Sequence, residues 1–272
     1  MKKLIFYYRF ALLASVLLTS AFTTRATVDV NIGGIVYEIR YAGEGFDAEP
    51  TYAILGDEVN DNYITTLYDI PSHVTGEYVF CDKGIYYTRY LTAPVTTIGK
   101  FAFRNSTVLK SVTIPEFITL IYTDESSESL GAFYGCTAIT ELHWNARYCL
   151  TNGLMPTNNI EHVTIGPEVT VLPEGFVGNS KITEVTIPSS VTMIGHGAFA
   201  YCAELDSIII PNSVDSIGTT AFKGCTNLTN LAISNSITTI GDLTFCYCTS
   251  LTNITIPNSV TTLGMGSFFG CI

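Results

Sequence analysis

Ile182-Thr-Glu-Val-Thr-Ile-Pro-Ser-Ser-Val-Thr-Met-Ile-Gly-His-Gly-Ala-Phe-Ala-Tyr-Cys202 is followed by Leu205-Asp-Ser-Ile-Ile-Ile-Pro-Asn-Ser-Val-Asp-Ser-Ile-Gly-Thr-Thr-Ala-Phe-Lys-Gly-Cys225. A third copy begins at Leu228 and a fourth at Leu251, so that Gly195, Gly218, Gly241 and Gly264 share one position, as do Phe199, Phe222, Phe245 and Phe268. A fixed period of this size, roughly 20–50 residues, is the signature of a solenoid in which each repeat is one supersecondary unit stacked on the next. The β-branched run Ile208-Ile209-Ile210 favours a strand, and Pro211 ends it because proline has no N–H for the ladder. Leu205, Ile208, Ile210, Val214, Ile217, Ala221 and Phe222 recur as apolar residues, with Thr244 in the alanine place of the third copy. They are the expected core. Each large side chain contributes roughly 1.5–3 kcal/mol on burial, which does not offset roughly 1–2 kcal/mol per residue for ordering a lone repeat. The array therefore folds as an array.

The glycine column is expected to mark a turn with an unusual backbone angle or a close approach. The Ala-Phe pair is expected to open a 3₁₀ or single helical turn with the phenylalanine as a wedge between layers. After the N-terminus no stretch has the length and periodicity of an amphipathic helix.

The string Ile-x-Ile-Pro-x-Ser-Val-x-x-Ile-Gly-x-x-Ala-Phe-x-x-Cys resembles the BspA-like (Treponema pallidum-type) leucine-rich repeats. The resemblance is clean over residues 182–272 and extends, with irregularities, back to about Leu91. Ser190, Ser213, Ser236 and Ser259 stand where the general leucine-rich pattern has Asn or Cys, a departure typical of this subclass. The resemblance implies a mainly β repeat solenoid, a right-handed leucine-rich-repeat horseshoe with short strands and 3₁₀ turns behind an N-terminal β cap. It also implies a secreted or surface-displayed protein that binds host or neighbouring-cell partners, and no enzyme activity.

Residues 1–26 read as a secretory signal peptide: Lys2, Lys3 and Arg9 precede the short apolar run Phe10–Leu18, and Thr19-Ser20-Ala21 and Thr24-Arg25-Ala26 both offer a cleavage site, the second being preferred. The apolar run is shorter than the about 20 residues a membrane span requires, and no membrane insertion of the mature chain is expected. Removing the leader lowers the 13 basic residues to nine against 24 acidic ones. So acidic a chain excludes nucleic acid and anionic membrane surfaces as partners, since both demand basic patches.

Residues 27–90 lack the repeat and read as the N-terminal β cap, with a hairpin around Gly33-Gly34. Asp57-Glu-Val-Asn-Asp-Asn62 is acidic, yet it lacks the spacing of a calcium loop and reads as a solvated turn. The array occupies residues 91–272, about eight units, irregular to residue 181 and regular from 182. Ser106 and Asn179 are assigned to the column held elsewhere by Cys136, Cys202, Cys225, Cys248 and Cys271. The chain stops at Cys271-Ile272 in mid-rhythm, which reads as a fragment of a longer array.

Five cysteines in one column cannot pair off. The expectation is buried free thiols rather than disulfides, with Cys246 exposed because its equivalents are Ala200, Lys223 and Phe269. No Cys-x-x-Cys pair, nucleophile–His–carboxylate set or phosphate loop is found, so no cofactor and no catalytic residue is assigned. Sequons at Asn105, Asn227 and Asn253 arise readily in Thr- and Asn-rich strands.

What remains is the outward strand face. Its candidate ligand-binding residues are Glu141, His143, Glu161, His162, Glu184, Asp206, Asn230 and Asn253. Glu141 and His162 fall in one column of successive units, with His143 and Glu161 beside them. This is a metal or pH-sensitive patch or, more simply, a cross-strand charge pairing on a wet face. A protein or glycan ligand is expected on this face and not on the Ala-Phe side. The alternative is a structural module of a larger surface protein with no ligand of its own.

Overall fold

The computed structural model describes residues 27–32, 35–42, 49–55, 67–70, 72–82, 85–99, 102–121, 131–149 and 159–271. The leader expected at 1–26 and the acidic turn at 57–62 lie outside them. Among the described residues there is no helix, and the chain forms a β solenoid.

The N-terminal part holds β1 (Thr27–Ile32), β2 (Ile35–Ala42), β3 (Glu49–Leu55), β4 (Leu67–Asp69), β5 (His73–Asp82) and β6 (Ile85–Ile98). β1 and β2 form the hairpin read from Gly33-Gly34, with Ile32 opposite Ile35. β2 continues antiparallel to β3, and β5 runs antiparallel to β6 from His73↔Pro94 to Asp82↔Ile85. Parallel stacking begins in this region: β3 pairs β6, and β4 pairs β7 (Ser111–Ile114).

The stack then runs in two strand rows. The first follows the Ile-x-Ile segment through β7, β9 (Glu141–Trp144) and β10 (His162–Ile165), and later β13 (Ser207–Ile209) and β15 (Asn230–Ala232). The second follows the Ile-Gly segment through β8 (Leu120–Ile121), β11 (Val171–Leu172), β12 (Met193–Ile194), β14 (Ser216–Ile217), β16 (Thr239–Ile240) and β17 (Thr262–Leu263). Every pairing within these rows is parallel.

Between the rows lies the core that the repeat calls for. Leu205, Ile208, Ile210, Val214, Ile217, Ala221 and Phe222 are all buried. The phenylalanine wedge stacks along the array: Phe199–Phe222, Phe222–Phe245 and Phe245–Phe268 lie 5.3, 5.4 and 5.4 Å apart, with planes within 6°, 5° and 11°. In the last unit the same columns open, and Leu263 is 53% exposed.

The Ala-Phe segment departs from expectation. It is a run of turns rather than a 3₁₀ helix, and it forms a third ladder. The N–H groups of Gly197, Phe199 and Tyr201 donate to the carbonyls of Thr219, Ala221 and Lys223 in the next unit, at 3.0, 2.8 and 2.6 Å. The intervening N–H groups of Ala198, Ala200 and Cys202 turn back to Gly195, Gly197 and Phe199. This alternation needs left-handed residues, at Gly197, Thr220, Leu243 and Gly266 and again at Asn179, Tyr201, Gly224, Tyr247 and Gly270. A helix satisfies its N–H groups only within itself; here alternate groups reach across, and layer-to-layer bonding wins. The glycine column at 195, 218, 241 and 264 is not left-handed. At 195, 218 and 264 the reason is close approach: a Cβ on Gly218 would lie 2.5 Å from His196 N, whereas one on Gly241 would meet nothing nearer than 3.5 Å.

Three column assignments change or gain a cause. The cysteines at 202, 225, 246, 248 and 271 are free thiols. Those of Cys225, Cys248 and Cys271 each donate to the carbonyl of the preceding unit's phenylalanine, Phe199, Phe222 and Phe245, at 3.2 Å. In the short unit it is Ser180, not Asn179, that fills this slot: it is buried, bonds back to Val177 O and meets Cys202 Sγ at 3.3 Å. Asn179 sits one place earlier at φ 62, where its short polar side chain suits the left-handed conformation. Cys246 is buried, not exposed: its small thiol is 2% exposed where the larger Phe269 of the same column is 61% exposed.

Candidate functional site: the outward strand face

Pleating of the first strand row alternates its side chains, sending Leu142 and Trp144 into the core and leaving Glu141 and His143 half-buried on the opposite face. β10 repeats the pattern. His162 lies opposite Glu141, and Thr164 opposite His143. Glu161 precedes His162 and is exposed. The four-residue group read from the sequence is thus one neighbourhood of two adjacent strands.

The rest of the face carries Glu184, Asp206, Asn230 and Asn253, all exposed. Glu184 bridges to Ser207, whose strand pairs with Asn230 and its neighbours. Local bonds hold the polar side chains down: Thr229 Oγ1 donates to Asp206 Oδ1 at 2.7 Å, Asn230 Nδ2 to Thr229 Oγ1 at 3.0 Å, and Asn253 Nδ2 to Thr252 Oγ1 at 3.2 Å. Ile209, 72% exposed, is the large apolar side chain of this stretch.

The row is not continuous. The 22-residue unit beginning at Ile160 drops one residue between Ser180 and Ile182, which changes the register. Lys181 N still reaches Ile160 O at 2.8 Å, but no β-bridge joins β10 to residues 183–187 among the described residues. Where the ladder parts, a groove of about 410 Å³ opens, lined by His162, Thr164, Glu184 and Thr186, with Val163, Val185, Ile165 and Pro188. The structure therefore brings His162 and Glu184 to one groove, with Glu141 on the strand behind. The sequence showed the short unit but not that its missing residue would part the sheet.

Chemically the face offers carboxylates, imidazoles, hydroxyls and amides at a water interface. Among the described residues no group of three His, Cys, Asp or Glu side chains is placed to hold a metal ion. The thiols are chemically quiet. Burial raises Cys149 and Cys248 from 9.0 to about 12, and pushes Cys202 and Cys225 up as well, far from the range in which a thiolate attacks. The Arg147–Glu168 pair, at 2.8 Å, is an exposed ion pair of small energetic weight. No described helix is long and apolar enough to cross a membrane.

A model of the BspA type leucine rich repeat region matches six copies, over residues 73–203 and 171–272. No curated protein matches the chain. Among solved structures, the chain is similar to the leucine rich repeat protein of T. pallidum, at 20% identity over 86% of each chain and a TM-score of 0.49. A leucine rich cell surface protein from Faecalibacterium prausnitzii is 19% identical over 92% of this chain and 88% of that one, with a TM-score of 0.32. A leucine-rich repeat protein from Bacteroides ovatus is 17% identical over 86% of this chain and 91% of that one, with a TM-score of 0.36.

Proposed function

This chain belongs to the BspA type leucine-rich repeat family, and on that premise we propose that it is an exported, surface-associated protein that acts by binding another protein through its outward strand face. Family and fold are those of binding modules rather than enzymes. The leader-like residues 1–26 support export, and the 24 acidic residues against nine basic ones in the rest of the chain support an acidic contact surface. The observation that carries the placement is the parted ladder: on a face of small, repetitive polar residues, the groove between β10 and residues 183–187 joins His162 to Glu184 in a recess of about 410 Å³. A recess with convergent polar groups is where a partner gains a specific anchor. The carboxylates of Glu141, Glu161, Glu184 and Asp206 favour a basic patch on the partner, which speeds encounter and makes association salt-dependent.

The test is capture of extracellular-matrix and neighbouring-cell proteins on the immobilised protein. The captured partner is then titrated against a variant with Glu141, His143, Glu161, His162 and Glu184 replaced by Ser. A control variant carries Asp215→Ser and Thr238→Ser on the other strand row. Loss of affinity in the first variant alone supports the placement, together with weaker binding at high salt. Loss in the control alone refutes it, and a chain that captures nothing is a structural module instead.

A further inference from the structure

The side of the stack that the sequence set aside carries a second set of features. Tyr201 and Tyr247 stand in the same column, two units apart, and are geometric copies of one another. Both have φ 60, both are 48% exposed, and both lay the ring on the glycine of the following unit: a Cβ on Gly224 would lie 2.6 Å from Tyr201 Cδ1, and one on Gly270 would lie 2.6 Å from Tyr247 Cδ1. A bulky residue at positive φ is uncommon and costly. Elsewhere in the column the place is taken by Asn105 and Asn179, which tolerate it, or by glycine. The ring twice occupies a strained position that asparagine fills at less cost, and strain of this kind gathers at binding sites.

We infer that the turn ladder presents a glycan-binding stripe, with Tyr201 and Tyr247 as stacking platforms for alternate sugars of an extended β-1,4-linked polysaccharide. The spacing selects the ligand. Successive units lie 5.3 and 5.4 Å apart at the phenylalanine stack, so two units separate the tyrosines by about 10 Å. In a flat β-1,4-linked chain each pyranose is turned over relative to its neighbour, so that every second ring shows the same C–H-rich face, at a repeat that matches two units of the stack. Each tyrosine packs the Cδ1–Cε1 side of its ring against the glycine of the following unit, which fixes the two rings alike and leaves each about half exposed. Between them Lys223 brings its ammonium to 5.6 Å from the Tyr201 ring centroid, where it supplies a donor to the hydroxyls of the intervening sugar. Phe269 takes the corresponding place beside Tyr247, at 5.4 Å and 79°, and is 61% exposed. Helical α-linked chains do not present coplanar rings at this repeat, so they do not fit.

Isothermal titration of the full chain with cellohexaose tests the assignment, with maltohexaose as the α-linked comparator. Tyr201→Asn and Tyr247→Asn remove the ring while keeping a residue suited to left-handed backbone, so their melting temperatures stay at or above that of the parent. Each is expected to weaken cellohexaose binding about tenfold, and the double variant to abolish it. Tyr247→Phe, which keeps the platform, is expected to bind as the parent does. Replacing His162 and Glu184 by Ser leaves the sugar affinity unchanged. No binding of cellohexaose, equal binding of maltohexaose, or unaltered affinity in Tyr247→Asn each overturns the inference. So does a result in which the Asn variants lose a captured protein while the parent ignores the sugar, since the stripe is then a protein contact.

Discussion

Replacing Phe222 by alanine probes the register of the whole array. Phe222 is fully buried, flanked by Phe199 at 5.3 Å and Phe245 at 5.4 Å, with all three rings nearly parallel. Truncation of a buried phenylalanine costs about 3–5 kcal/mol, because transfer and cavity contributions add. Two stacked pairs are lost, each contributing about 0.5–1.5 kcal/mol beyond area, so the upper half of that range applies. For a domain of this size each kcal/mol moves the melting temperature by roughly 2–4 °C, giving a drop on the order of 10–15 °C. Lys223→Ala, one residue along, removes a surface side chain and its contact with the Tyr201 ring and stays within about 1 kcal/mol. Calorimetry and circular dichroism read both shifts. Hydrogen exchange adds a spatial check, because stacked repeats contact only their neighbours and protection falls first in the units beside residue 222. Equal melting shifts for the two variants would refute the register. So would uniform loss of protection along the chain.

Three further outcomes follow from the columns. Burial holds Cys248 at about 12 in the folded state against 9.0 otherwise, so its contribution to stability is complete below pH 9 and is lost as the pH rises from 9 towards 12. Cys248→Ser is expected to flatten that alkaline limb in urea titrations, and identical limbs refute it. The column thiols should resist alkylation in the native protein at pH 8 and react in denaturant without reductant, whereas a Cys202–Cys225 disulfide found by mass spectrometry contradicts the free-thiol reading. Thr220 is a β-branched residue at φ 56 in a column that holds glycine at 197 and 266. Thr220→Gly is therefore expected to stabilise the array by up to about 1 kcal/mol, and a lowered melting temperature shows that the strain is compensated elsewhere.

The repeat made the core legible because each apolar column recurs and averages out local exceptions. Leu205, Ile208, Val214 and Phe222 could be assigned from four aligned copies, and so could the outward Glu184, Asp206, Asn230 and Asn253. The free thiols were legible by parity and by Ser106 sharing the slot. The turn ladder was not. Its left-handed positions are held by Gly197, Thr220 and Leu243 in one column and by Tyr201, Gly224 and Tyr247 in the other. Glycine or asparagine holds most of the left-handed positions, but Thr220, Leu243, Tyr201 and Tyr247 interrupt that signal, because layer-to-layer hydrogen bonds impose the conformation there against local preference. Of the two readings open for the glycine column, close approach holds at 195, 218 and 264, where neighbouring backbone leaves no room for a Cβ, and an unusual turn angle does not. Asn179 was misplaced by one residue because an ungapped alignment cannot show where a short unit drops its residue. Cys246 was misassigned because its column has no fixed burial.

These differences bear on how one scaffold comes to carry two contact surfaces. All three ladders are backbone to backbone, so the stack does not depend on what the outward strand positions or the turn positions carry, provided the inward columns stay apolar and the left-handed sites are tolerated. A substitution at Glu184 leaves Tyr201 in place, and the reverse holds, because the two belong to different ladders of the stack. The strand face gains its distinctive recess from a deletion, which shifts register and parts the sheet. The turn face gains its spacing from substitution within an unbroken 23-residue period, which keeps Tyr201 and Tyr247 in matched orientation. Inserting one residue between Ser180 and Ile182 distinguishes the two mechanisms. It restores the regular spacing, so it is expected to let residues 183–187 pair with β10 and close the groove. Protein binding at His162 and Glu184 then falls while the tyrosine geometry, set wholly downstream of the insertion, is preserved. If the insertion weakens cellohexaose binding as well, the two faces are coupled through the stack and are not independent.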